Sequence, residues 1–259
     1  GVVNLTTKSG TNVLRGSAFE FLRNEALNAR NYFSTSNAVK PEFRRHQFGG
    51  VLGGPIRRDH TFFFVDYQGQ RQTIGRTVIS TVPTLLQRQG VFTEAIGGRV
   101  PVIYDPATTV LLPTGGATRA AFAGGAVPIE RMDPVARALL ARYPLPTGAG
   151  TANNYRRTDN ETVNQDQFSA RVDHTVGTRD RLFARLTRFH ETFLPVTPLP
   201  EGSGVTSGTL GPQRTTSWSF ASSYQRTLSD TMVNQLRVGD TRRAVGRSAA
   251  TLATSAGSA

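Results

Sequence analysis

Seven segments of the chain read as strands, 11–22, 43–54, 61–72, 165–175, 181–190, 214–226 and 232–242, and four of them alternate apolar and polar side chains with the period of two that marks a strand with one dry face. In 61–72, Phe63, Val65 and Tyr67 share one side, while Phe62, Phe64, Asp66 and Gln68 share the other. In 165–175, Phe168, Ala170 and Val172 oppose Ser169, Arg171 and Asp173; in 181–190, Leu182, Ala184 and Leu186 oppose Arg181, Arg185 and Thr187. In 214–226, Trp218, Phe220 and Tyr224 oppose Ser217, Ser219 and Ser223. Two departures stand out. Phe183 and Phe189 share a side with Arg185, and in the first segment Arg15 and Arg23 share a side with Phe19 and Phe21 while Glu20 faces away. Arginines near strand ends can snorkel, which makes the second departure tolerable.

The connections between these segments are 20, 6, 92, 5, 23 and 5 residues long, so long and short alternate without exception. An up-and-down antiparallel barrel with tight turns at one rim and long loops at the other keeps that parity. A soluble sheet with one dry face gives the same stripes but has no reason to keep the parity. The short connections carry turn chemistry in Gly54-Pro55-Ile56-Arg57-Arg58-Asp59, Val176-Gly177-Thr178-Arg179-Asp180 and Thr227-Leu228-Ser229-Asp230-Thr231. Each segment also has roughly the 9–11 residues that a tilted membrane strand needs. The chain therefore reads as all-β: a partial transmembrane antiparallel β-barrel with one long extracellular loop, 73–164. On that reading Phe63, Val65, Tyr67, Phe168, Val172, Leu182, Leu186, Trp218, Phe220 and Tyr224 face lipid. Asp66, Gln68, Arg171, Asp173 and Arg185 face the lumen.

The loop is too long to lack structure of its own. One short helix is expected after Pro83, over Thr84 to Gln89 and stopping at Gly90; another is capped by Asp133, has Pro134 at its first position and runs from Val135 to Arg142. Tyr104-Asp105-Pro106 and Thr114-Gly115-Gly116 read as turns. Residues 243–259, rich in Ala, Ser, Thr and Gly, are expected to be a disordered tail.

Composition narrows the function. With no Cys there is no disulfide, thiol nucleophile or iron–sulfur cluster, and no apolar run approaches the ~18 residues of a membrane helix. The 26 Gly and 14 Pro suit strands and loops better than a helical bundle. The formal charge of +12, carried by 28 Arg and 2 Lys, raises nucleic-acid binding as a rival. Its Arg pairs are scattered over strands, turns and loops rather than gathered into a patch, so no nucleic-acid partner is expected and coding bias explains the arginines. His46, His60, His174 and His190 form no metal-ligand pair, and Asp66, Asp166 and Asp173 have no calcium-loop spacing and read as solvated lumen charges. No nucleophile elbow, P-loop or dinucleotide fingerprint occurs; Gly49-Gly50-Val51-Leu52-Gly53-Gly54 lacks both nucleotide patterns and instead leaves room for a neighbouring backbone or plug. No enzyme activity, cofactor or metal is expected.

The motifs themselves resemble a known family. Gly1-Val2-Val3-Asn4-Leu5-Thr6-Thr7-Lys8-Ser9-Gly10-Thr11-Asn12 resembles the plug–barrel junction of TonB-dependent outer-membrane receptors. The following stretches are similar to the Oar-like branch: Gly16-Ser17-Ala18-Phe19-Glu20-Phe21, Asn28-Ala29-Arg30-Asn31-Tyr32-Phe33, Phe43-Arg44-Arg45-His46-Gln47-Phe48, Thr61-Phe62-Phe63-Phe64, Asn153-Asn154-Tyr155 and Asp180-Arg181-Leu182-Phe183. The resemblance spans roughly residues 1–240 and weakens at Asp240, where the pattern has an aromatic. It implies that 1–10 ends a plug domain and that 11–242 supplies the N-terminal part, about seven strands, of a barrel of ~22 strands. It further implies a place in the outer membrane, contact with its lipid, and uptake of an unknown substrate. Energy would come from the TonB complex, through a region upstream of this stretch. The alternative is an outer-membrane surface or adhesion protein that uses the barrel to anchor its long loops.

Overall fold

Alternation becomes pairing in the computed structural model, which describes residues 7–29, 40–200 and 211–248. In chain order the strands are β1 (Arg15–Asn24), β2 (Phe43–Arg57), β3 (Thr61–Ser80), β4 (Val110–Leu111), β5 (Ala117–Thr118), β6 (Tyr155–Val176), β7 (Asp180–Leu194), β8 (Gln213–Ser229) and β9 (Met232–Arg247). Seven of them form one sheet in the order β1-β2-β3-β6-β7-β8-β9, so neighbours in the sheet are neighbours among the long strands of the chain. The determined registers are antiparallel. Tight turns close β2–β3, β6–β7 and β8–β9, where the Gly, Asp and Ser signals predict them. No helix among the described residues is long and apolar enough to cross a membrane. The sheet is open: among the described residues the outer edges of β1 and β9 have no partner strand.

The ends of several strands differ from expectation for identifiable reasons. β1 begins at Arg15 rather than at 11 because Asn12 is held by the β2–β3 turn. Its side-chain Nδ2 donates to Asp59 Oδ1 at 2.6 Å, and its side-chain Oδ1 accepts the Asp59 N–H at 2.8 Å. β3 continues to Ser80 and β6 starts at Tyr155, so the long connection is 81–154 rather than 73–164. The extra residues are mostly Thr, Arg, Asn and Glu on both faces, which removes the stripe while leaving backbone pairing intact. A Thr77–Thr158 hydroxyl contact of 2.9 Å joins these extensions. β9 runs on to Arg247, paired with Gln213, so residues 243–247 are strand and not tail. Residues 249–259, 1–6 and 30–39 lie outside the described residues, and with them most of the expected tail, much of the expected plug end and part of the Asn28–Phe33 motif.

The described residues divide into two units: 7–29, 40–75, 160–195 and 212–248 hold most of the sheet, and 76–159, 196–200 and 211 make up the second. The second has its own small core of Val82, Tyr155 and Leu199, joined by Tyr143. Asn154, 1% exposed, brackets Val82 as a neighbouring strand would, accepting its N–H and donating to its C=O, both at 2.9 Å. Helix α1 (Leu85–Arg88) is a single turn with a capping box between Thr84 and Gln87. Helix α2 (Pro134–Ala141) starts at Pro134 under Asp133, which accepts the N–H groups of Val135 and Ala136. Arg88 ties them together by donating to the carbonyls of Leu140, Tyr143 and Pro144 at 2.9, 3.0 and 2.6 Å. Leu140 is in the last turn of α2 and Tyr143 and Pro144 lie just beyond it, the region where a helix leaves acceptors for other donors.

Candidate functional site

The sheet presents two chemically different faces, and the register assigns every strand residue to one of them. On one face the pairs Arg171↔Arg185, Asp173↔Phe183, Ser169↔Thr187 and Thr187↔Ser219 run in rows. Asp66 shares an open cleft of about 400 Å³ with Phe64, Ser169, Arg171, Arg185 and Thr187. Gln68 lies on the same face, opposite Gly49. The five polar candidates, Asp66, Gln68, Arg171, Asp173 and Arg185, therefore share one side. Arg171 grips Asp173 through two hydrogen bonds of 2.8 and 2.6 Å and lies 4.5 Å over the Phe183 ring. Both charges are largely shielded, and a bidentate pair of this geometry holds its partners in fixed orientation.

The residues that precede β1 lie on this polar face. Thr7 accepts hydrogen bonds from Arg171 at its Oγ1, 2.5 Å, and at its carbonyl, 3.3 Å. Thr7 and Lys8 line the cleft with Asp66 and Arg185. Gly10 passes so close to the sheet that a Cβ there would meet the carbonyl of Phe63 at 2.3 Å and that of Gly54 at 2.7 Å. The glycine run in β2 thus gives the room for a neighbouring backbone that the sequence suggests.

The opposite face carries Phe63, Val65, Tyr67, Phe168, Val172, Leu182, Leu186, Trp218, Phe220 and Tyr224, all in register with one another or on alternating positions of the same strand. Leu236 and Val238 of β9 extend it. Most of these side chains are uncovered, Trp218 being 43% exposed, Phe220 41% and Val238 56%, while Phe63, Val65 and Tyr224 are half-buried. A continuous apolar face of this kind is what a soluble protein buries and a lipid-facing wall presents. Strands of 15–22 residues from β2 to β9, β4 and β5 apart, exceed the roughly 9–11 that cross a bilayer.

Several residues fall elsewhere than the pattern suggests. Asp166 is on the apolar face, opposite to Asp66 and Asp173, and so does not share a side with them as expected; Tyr67 donates to it at 2.6 Å and Arg71 binds it at 2.8 and 3.0 Å. Its even position in β6, shared with Phe168, was the available signal. In β1 the sense is inverted, with Phe19 and Phe21 on the polar face and Glu20 on the other, paired with His46 at 3.2 Å. Arg23 follows the phenylalanines onto the polar face and stacks 5.0 Å over Phe43 instead of snorkelling. Period-two reading also passed over Arg188, which lies on the apolar face against Trp218 at 5.1 Å.

In the second unit the charged centre is Asp105 with Arg131, joined in a bidentate pair with one arm at 2.7 Å. The Arg131 guanidinium holds the Asp105 carboxyl below its usual range, helped by the Ala107 N–H. Asp105 also caps a short 3₁₀ turn over Pro106–Thr108, so charge and backbone are fixed together.

Neither the curated proteins nor the solved structures contain a match to this chain. A family model does match, that of the outer membrane beta barrel domain, over residues 6–259. The uncovered apolar face, the opposed polar face and the meander of long antiparallel strands are what such a domain requires. The chain accordingly belongs to the outer membrane beta barrel domain family and resides in the outer membrane.

Proposed function

We propose that this chain forms part of the wall of a TonB-dependent, Oar-like receptor that takes up a substrate across the outer membrane by energy-coupled transport, without enzymatic chemistry. The carrying observation is the placement of Thr7–Gly10 on the polar face, hydrogen-bonded to Arg171 and packed against β2 and β3. A barrel strand entered from its inner face is what a domain held inside the lumen requires. The polar side with Asp66, Gln68, Arg171, Asp173 and Arg185 then lines the lumen, and the apolar side from Phe63 to Tyr224 meets lipid. The connection 81–154 is extracellular and available to ligand. The rest of a barrel of ~22 strands satisfies the outer edges of β1 and β9, since unpaired strand edges are not tolerated in lipid. The second reading, an adhesion or display protein, draws support from the separate core and caps of the second unit, which suit a loop built to be presented.

Two measurements on the full-length protein test this. Spin labels at Phe63, Val65 and Tyr67 are expected to report lipid, and labels at Asp66 and Gln68 water; the reverse overturns the facing. Titration with the periplasmic domain of TonB is expected to give saturable binding, whereas no binding supports the display reading and removes the transport one.

A further inference from the structure

We infer that the outward face of β7–β9 carries an anion-binding rim that holds the phosphate groups of a lipid in the outer leaflet. The inference rests on the proposed lipid-facing assignment. Across β6 to β9 the register lines up Phe168, Arg188, Trp218 and Arg242 in one row on the apolar face. The next two rows toward the long connections hold His190 with Thr216 and Thr192 with Arg214. The rows on the other side, toward the tight turns, are mainly apolar: Ala170, Leu186 and Phe220 with Asp240 on β9, then Val172, Ala184 and Val238 with Ser222, then Leu182, Tyr224 and Leu236 with His174. The arginines therefore stand where an apolar band stops.

Their charges are available. Arg188 is exposed and stacks on Trp218, and among the described residues neither it nor Arg214 has a carboxylate partner. Arg242 lies 3.4 Å from Asp240, and 86% of its own side chain is exposed. The opposite rim differs: Arg226 is paired with Asp180 at 3.7 Å, and Tyr224 donates to the same carboxylate at 2.6 Å. At the tight-turn end the arginine is paired, whereas at the other end, among the described residues, Arg188 and Arg214 keep guanidinium groups without a carboxylate and Arg242 shares only an exposed one.

Depth agrees with this. From Asp180 to Arg188 is eight residues, or ~26 Å along the strand. At a tilt of 35–45° that is ~20 Å of height, against an apolar band of about 25 Å in outer-membrane barrels. Snorkelling covers the remaining few ångströms, so the guanidinium groups reach the phosphate level while Trp218 stays at the interface. Guanidinium forks match phosphate oxygens, and basic side chains at an anionic membrane surface favour phosphate-bearing headgroups.

The test uses purified full-length protein titrated with bisphosphorylated lipid A in detergent and read by native mass spectrometry. Relative to wild type, Arg188→Gln, Arg214→Gln and Arg242→Gln are each expected to weaken binding about fivefold, and the triple variant about a hundredfold. The corresponding lysine variants should retain most of it. Arg226→Gln, at the other rim, should leave it unchanged, and dephosphorylated lipid should bind no better to wild type than lipid A binds to the triple variant. Unchanged binding by a triple variant that still shows the heat-modifiable gel shift of a folded barrel overturns the inference, as does equal binding of the dephosphorylated lipid. A spin label at Phe220 separates the two layers. Lipid contact there with unchanged lipid A binding removes the rim alone, whereas water contact removes the facing assignment and the rim with it.

Discussion

Asn154 shows how one side chain can stand in for a strand. Buried at 1% exposure, it satisfies both backbone groups of Val82 and also donates to the Gly150 carbonyl at 3.1 Å. Asn154→Asp removes both donors and turns an acceptor toward two carbonyls, which is expected to cost about 2–3 kcal/mol. Hydrogen exchange should speed up at residues 81–84 and 150–155, with the strands β7–β9 unaffected; equal protection in the variant would contradict the role. Asp105 supplies a pH dependence. Because Arg131 lowers its folded-state pKa, the pair stabilises its segment at neutral pH, and that stabilisation is lost as pH falls through the lowered value. Limited proteolysis around 103–131 should therefore accelerate in strong acid but not between pH 6 and pH 8, and Asp105→Asn should remove the dependence.

Between strands, glycine and aromatic positions interlock. Phe48 pairs with Gly69 across β2 and β3, and a Cβ at Gly69 would come within 2.6 Å of the Phe48 ring. The ring is 6.2 Å from Tyr67, so it has little room to move. Gly69→Val is expected to force the ring out and loosen the pairing by about 1–3 kcal/mol. The expected sign is a lower temperature for the heat-modifiable gel shift of the full-length protein, with Gly69→Ala affected less; an unchanged shift would show that the ring has another place to go. The same interlock explains why β2, rich in glycine and weak in intrinsic strand propensity, sits securely between β1 and β3.

For the whole molecule, the topology predicts accessibility. A protease added to intact cells should cut within 81–154 and spare the turns at 177–179 and 230–231, which are expected on the periplasmic side; cleavage at those turns would invert the orientation. Much of this architecture was legible in the chain. The hairpin turns, the seven strands, the two capped helices and the faces of β3, β6, β7 and β8 follow from local rules, because turn residues, caps and period-two stripes act within a few residues of themselves. The lengths of β3, β6 and β9 were not legible, since a backbone ladder continues wherever a partner strand is present, whatever the side chains. The inverted sense of β1 and the separation of Asp166 from Asp66 also needed the assembled sheet, because register links faces between strands and alternation only within one. Sequence by itself determined which residues alternate; the tertiary structure decided which alternating sets share a face, because a one-residue change of register turns every side chain of a strand to the other side.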